Sequence, residues 1–220
     1  MDDALVITPD EARVLGCLIE KNYTTPAYYP LTLNALTTAC NQKQNRHPLM
    51  ALSEDDVVRA LDGLREHHLA TRVYKAESRV PKYEHRAPEA LGLGQAEASI
   101  LCELLLRGPQ TGAELRSRAE RMCHFGGRDD AEEALTGLMN RPVPLIVLLP
   151  RQTGQKEQRY AHLMCGEPEI PEPEAVIEPA RERVRHGDER ISALEQRVEV
   201  LEEELRGLKD TLETFRQQFE

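Results

Sequence analysis

The residues best equipped for chemistry are cations and amides rather than nucleophiles. Asn41-Gln42-Lys43-Gln44-Asn45-Arg46-His47 gathers two cations, an imidazole and four amides, a set able to bond phosphate oxygens and base edges. A solvated loop is an equally good reading of the same run. Further cations recur along the chain: Arg72, Lys75, Arg79 and Lys82, then Arg151, Lys156 and Arg159, with Arg116, Arg118 and Arg121 on a helical stretch between them. Together with Lys43, Asn45, Arg46 and His47, all of these except Arg121 form the candidate nucleic-acid contacts. Scattered cations are also ordinary surface. Because strands alternate faces, Arg72 and Lys82 need not point with the others.

Catalytic chemistry finds less support. His67-His68, Cys123-His124 and His162-x-x-Cys165 lack a recognised ligand spacing, and neither a phosphate-cradling glycine loop nor a nucleophile motif is present. The five cysteines, Cys17, Cys40, Cys102, Cys123 and Cys165, include no C-x-x-C pair and read as free thiols. Cys17 and Cys102 fall in apolar helical patterns, where a small buried hydrophobe is the better reading. His85 and His162 recur at one position of a repeated hairpin, which suggests a structural role for each ring. No catalytic residue, metal site or cofactor is expected, and the chain reads as a non-enzyme.

The elements that position these residues follow from composition and pattern. The 220 residues carry 28 Lys and Arg against 38 Asp and Glu, a formal net charge of -10. Residues 1–90 have net charge -2, residues 91–165 are neutral and residues 166–220 hold -8. The acidity is mostly tail, so the body can still present a basic face. The longest aliphatic run, Leu145 to Leu149, is far too short for a bilayer span, and Met1-Asp2-Asp3 is acidic where a secretory signal is basic. The expected location is the cytoplasm, with no membrane partner.

The body contains one plan twice. Glu11, Ala12 and Leu15 match Glu97, Ala98 and Leu101 at an offset of 86, and Thr32 and Leu36 match Thr111 and Leu115 at 79. Asp56, Ala60, Leu61, Gly63 and Leu64 match Asp130, Ala134, Leu135, Gly137 and Leu138 at 74, and Lys82-Tyr83 and His85 match Arg159-Tyr160 and His162 at 77. The drift reflects loops of different length. Thr8-Pro9-Asp10-Glu11, Ser53-x-x-Asp56 and Thr111-x-x-Glu114 are helix starts with a capping hydroxyl and a carboxylate that reaches back. Val14, Leu15, Leu18 and Ile19 make one apolar helical face, and Val57, Val58, Leu61 and Leu64 another. Strand-type segments follow each third helix, Ala70 to Tyr74 with Val80 to Arg86, and Leu145 to Leu149 with Arg159 to Leu163. Three helices and a two-stranded hairpin make the winged-helix plan. The fold class expected is mainly α with small β-hairpins (α+β), two tandem winged-helix domains followed by a C-terminal coiled-coil helix. The boundaries are 1–90, 91–165, a Pro/Glu-rich linker at 166–180 and the helix at 181–220.

Four motifs carry a resemblance. T-P-x-E-A-R-V-x-G-C-L-x-E-K at Thr8 to Lys21, T-A-C-N-Q-K at Thr38 to Lys43, L-L-L-R-G-x-Q-T at Leu104 to Thr111 and E-L-R-S-R-A-x-R-M at Glu114 to Met122 resemble the YceH-like family of uncharacterised bacterial proteins. The resemblance spans residues 5–165. It implies a tandem winged-helix fold and brings no catalytic residue with it.

The third helices begin Ser53-Glu54-Asp55-Asp56 and Arg128-Asp129-Asp130-Ala131-Glu132-Glu133, acidic where phosphates would lie in major-groove recognition. Those carboxylates suit a helix N-terminus instead. In the tail, Ile191, Leu194, Val198, Leu201, Leu205, Leu208, Leu212, Phe215 and Phe219 are spaced alternately three and four apart, a heptad seam. Isoleucine and valine at a with leucine at d favour a parallel dimer, and Arg190 with Glu195, Arg197 with Glu202 and Glu204 with Lys209 would pair across it. Packing of the seam on the chain's own body is the alternative. The expected function is a dimeric, DNA-associated regulatory or structural factor that contacts double-stranded DNA through the basic loop and wings. A protein-interaction scaffold, binding a protein partner through acidic faces and the coiled coil, is the second reading.

Overall fold

In the computed structural model, the described residues are 5–74, 80–152 and 154–168. The heptad residues Ile191 to Phe219, the helix at 181–220, most of the linker, and Lys75 and Arg79 therefore lie outside the described residues. Helix α1 spans Pro9–Thr24, α2 Leu33–Cys40 and α3 Glu54–Glu66. Strands β1 (Leu31–Thr32), β2 (Ala70–Val73) and β3 (Lys82–His85) form an antiparallel sheet in the order β1-β3-β2. Helix α4 spans Ala87–Leu91, α5 Gln95–Arg107, α6 Gly112–Ala119 and α7 Arg128–Met139. A second antiparallel pair, β4 (Ile146–Leu148) with β5 (Tyr160–His162), completes a mixed fold with seven α-helices among the described residues.

The helix starts form where local chemistry dictates. Thr8 Oγ1 accepts from Glu11 N at 3.2 Å while Thr8 N donates to the Glu11 carboxylate at 2.6 Å. Ser53 with Asp56, and Thr111 with Glu114, repeat this reciprocal cap. Strands β2 to β5 lie within their expected segments, trimmed by one to three residues. Three elements are additional to those read from the sequence: a single 3-10 turn at Pro26–Tyr28, the two-residue β1 and the five-residue α4.

The repeat extends to hydrogen bonding. Leu31 of β1 pairs with Tyr83, and at the matching place Gln110 N donates to Tyr160 O at 3.1 Å while Tyr160 N donates back at 2.8 Å. A second shared device joins the first and third helices of each half. A methyl group placed on Gly63 would overlap the Glu11 carboxylate, and one on Gly137 would meet the Glu97 carboxylate at 2.6 Å. The carboxylate that caps the first helix thus rests in the seat left by a glycine on the third.

Helices α1 and α5 pack against each other at the centre. Leu15, Leu18 and Ile19 of α1 and Leu101, Leu104 and Leu106 of α5 are all buried, each worth about 1.5–3 kcal/mol of transfer free energy. The sequence marks one apolar face on α1, but residues Glu11 through Glu20 are buried without a break. The second half covers the side that would otherwise face water. Gly16 permits this approach: a Cβ there would lie 2.8 Å from Leu106 Cδ2, and Cys102 Sγ donates to Gly16 O at 3.2 Å. Backbone bonds from His47 N to Leu106 O (2.8 Å) and from Ile7 N to Met164 O (2.7 Å) tie the halves further. Both belong to one compact unit that ends at residue 170.

Candidate nucleic-acid interface

The structure divides the predicted contact residues into those turned inward and those left facing solvent. Arg46 is turned inward. Its side chain is buried, with Nη2 and Nη1 donating to the two oxygens of Glu20 at 2.6 and 3.2 Å and Nε donating to Ala39 O at 3.1 Å. A nucleic-acid role for Arg46 is therefore corrected: its charge is consumed by a carboxylate at the end of α1. Burial by itself would raise the Glu20 carboxyl, yet the hydrogen bonds and charge of Arg46, followed by Lys21 and Arg121, hold it down at about 2.

Arg121 extends this network between the halves, reaching Glu20 Oε1 at 2.7 Å and Glu103 Oε1 at 2.9 Å, while Arg107 Nε lies 2.8 Å from Glu103 Oε2. Arg107 also donates to Asn45 Oδ1 at 2.6 Å, so Asn45 is occupied as well. The amide-rich run is thus a clasp between α1, α2 and α5, with Lys43 and His47 exposed on its outside.

Arg118 and Arg159 are engaged by neighbours but remain about one third exposed. Arg118 donates to Gln110 Oε1 at 2.6 Å and pairs with Glu114 at 3.2 Å, and Arg159 pairs with Glu114 at 3.2 Å and donates to Pro109 O at 3.0 Å. The two arginines share one carboxylate and brace α6 against the second hairpin. In the first half, Arg72 is exposed with its guanidinium carbon 5.3 Å from the Tyr74 ring, and Lys82 is half-buried opposite Thr32 and Val73. His85 is buried and His162 half-buried, one in each sheet. Burial lowers both rings to about 4, and His85 Nε2 accepts from Asn22 Nδ2 at 3.1 Å.

Arg116, Arg151 and Lys156 meet in one place. They line a cleft of about 650 Å³ between α6, α7 and the second hairpin. The capped first turn of α6 supplies Gly112 and Ala113 and directs Arg116 into the space, while α7 brings Arg128 and Glu132. The hairpin contributes Arg151, Lys156, Glu157 and Gln158 at its tip end. Leu135, Leu148, Ala131 and Tyr160 make the floor. Arg128 pairs with Glu132 at 2.6 Å, whereas no ion pair forms at Arg116, Arg151 or Lys156 among the described residues. With Arg128 and Glu132 paired, these three cations outnumber the one remaining carboxylate of the lining, Glu157, and the net positive concavity attracts an anion.

Sequence reasoning missed Arg128 because it opens an acidic run. The matching positions of the first half are Thr37 for Arg116 and Glu54 for Arg128, so this charge belongs to the second half alone. Among the described residues no cluster of three His, Cys, Asp or Glu side chains could hold a metal ion, and no helix is long and apolar enough to cross a membrane.

The family model described as "Protein of unknown function, DUF480" matches residues 7–155. A UPF0502 protein of Geobacter sulfurreducens is 54% identical over 219 residues, covering 98% of this chain and 99% of its own. One from Koribacter versatilis is 52% identical over 190 residues (86% and 87%), and one from Opitutus terrae 48% over 191 residues (86% and 83%). In agreement with the YceH-like resemblance carried by its motifs, the chain belongs to the DUF480 family, alongside the UPF0502 proteins of these bacteria.

Proposed function

We propose that the chain is a non-catalytic tandem winged-helix protein that associates with DNA through its second half and dimerises through residues 181–220. The observation carrying this reading is the convergence of Arg116, Arg151 and Lys156 on one cleft beside the third helix of that half. Asp129 and Asp130 in the first turn of α7 oppose insertion of this helix into a major groove. The contacts favoured are therefore to backbone phosphates, which position a protein on DNA without reading its sequence.

The test is duplex DNA binding by fluorescence anisotropy across a salt series, comparing the full chain with an Arg116→Ala, Arg151→Ala, Lys156→Ala triple variant and following mass by light scattering. Binding should weaken steeply with salt, and the triple variant should lose a slope of about 3 if each cation neutralises one phosphate. An unchanged slope overturns the assignment of the cleft. Absence of binding at low salt overturns DNA association altogether.

One observation favours the second reading, a protein scaffold. At the matching face of the first half, α3 opens with Glu54, Asp55 and Asp56, and Val58 beside them is exposed. A dimer without DNA affinity in the same experiment supports that reading.

A further inference from the structure

The cleft has a floor that phosphate binding alone does not require. Leu148, at the end of β4, is 36% exposed and faces the same space as the Tyr160 ring. Gly112 opens the α6 side of this floor: a Cβ there would lie 3.6 Å from Tyr160 Cε2 and 3.7 Å from Leu135 Cδ1, covering both. Its backbone has no left-handed conformation to favour glycine, so the absence of a side chain matters here through space. The exposed part of the lining carries the cations, Arg116 from α6 and Arg151 and Lys156 from the hairpin, with the Glu157 carboxylate and the Gln158 amide beside them.

An apolar, partly aromatic floor beside three cations that outnumber the one unpaired carboxylate is complementary to a flat ring joined to an anion. Duplex DNA presents no ring face along its length, since each is covered by its neighbours in the stack. An unpaired nucleotide presents both a free ring and a phosphate. We infer that the cleft of the second half holds one unpaired nucleotide, its base on Leu148 and Tyr160 and its phosphate on Arg116, Arg151 and Lys156. This inference rests on the reading of the cleft as a nucleic-acid interface and narrows it to a single-stranded stretch or a free nucleotide.

The floor and the cations can be tested separately. Gly112→Leu covers the floor at the first position of α6 without changing charge, and Leu148→Ser removes apolar surface at an exposed site; thermal melting confirms that each variant folds. Binding of adenosine monophosphate, an oligothymidine single strand, a blunt duplex and inorganic phosphate is measured on the full chain. The nucleotide and the single strand should bind more tightly than inorganic phosphate, by about tenfold, the scale of one base stacked on a side chain. Either floor variant should remove that advantage while leaving phosphate binding unchanged.

Preference for the single strand over the nucleotide identifies a polymer as the source, and equal binding identifies a free nucleotide; both support the inference. Inorganic phosphate bound as tightly as the nucleotide, or floor variants without effect, overturns it. Duplex binding without nucleotide or single-strand binding also overturns it, yet leaves the DNA reading standing. If no ligand binds, both fall.

Discussion

Both Nη atoms of Arg46 donate to the Glu20 carboxylate, at 2.6 and 3.2 Å, and neither side chain is more than 1% exposed. A cation in a polar loop thus neutralises the one acid in the last buried stretch of α1. Removing Glu20 strands the Arg46 charge in the interior, whereas removing Arg46 leaves Glu20 the partly exposed Arg121 and Lys21 at 2.7 and 3.3 Å. Glu20→Leu is expected to destabilise the fold by about 3–5 kcal/mol in urea unfolding, and Arg46→Ala by less, because Arg121 and Lys21 remain on Glu20. A loss under about 1 kcal/mol for Glu20→Leu would show that water reaches the site.

Acid should weaken the protein in two stages. His85 and His162 are held near 4 in the fold, below their ordinary 6.5, so the unfolded chain binds more protons between these values. Their contribution to stability is complete above about pH 6.5 and is lost as pH falls towards 4. Glu20 is held at about 2 against an ordinary 4.5, so its contribution is lost as pH falls through the interval below the histidines'. Melting temperature against pH should slope upward from 4 to 6.5, and replacing both histidines by glutamine should flatten that limb.

The contact of α1 with α5 leaves no room for a side chain at Gly16. Gly16→Ala would bring a methyl to 2.9 Å from Leu106 Cγ and 3.2 Å from Leu105 Cβ, forcing the helices apart. A cost of about 1–3 kcal/mol is expected, with a larger loss for Gly16→Val, read from denaturant midpoints.

Arg118 and Arg159 provide the control for the cleft. Both are held by Glu114, so replacing them by alanine should leave the salt slope of nucleic-acid binding unchanged while lowering the melting temperature. Arg116→Ala should do the reverse, reducing the slope by about 1 with little thermal effect.

Thiol labelling should divide the cysteines. Cys17, Cys40 and Cys102 are buried, while Cys123 and Cys165 are partly exposed. A disulfide reagent should modify two thiols in the native state, slowly because burial raises both, and five after unfolding. Rapid modification of Cys17 would require α1 to open to solvent.

What could be read from the sequence was local. Thr8, Ser53 and Thr111 announce their helices because the cap is made within four residues, and the strands are visible through their alternation. Helix α4 escaped notice because five residues cannot show a helical period, and β1 because two residues show no alternation. The site was half legible. Arg116, Arg151 and Lys156 were identified as candidates, but only packing brings α6 to the hairpin. The burial of Arg46 was not legible because its partner Glu20 lies 26 residues away, and the bracing of Arg159 because Glu114 lies 45 residues away, whereas the pairing of Arg118 with Glu114 is an ordinary i, i+4 contact. One signal was available: Glu20 and Glu103 interrupt apolar helical stretches, and a buried carboxylate calls for a cation.

The carboxylate seated on a glycine has a consequence for how the two halves have diverged. Replacing Gly63 or Gly137 would collide with the glutamate, and shortening Glu11 or Glu97 would uncap a helix, so neither member can drift alone. No such lock binds the outer face, where threonine and glutamate stand in one half against two arginines in the other. Gene duplication leaves a spare copy of a surface but not a spare copy of a joint. In this chain the two halves accordingly keep the glutamate–glycine joint in common and differ in the charge of the faces above it.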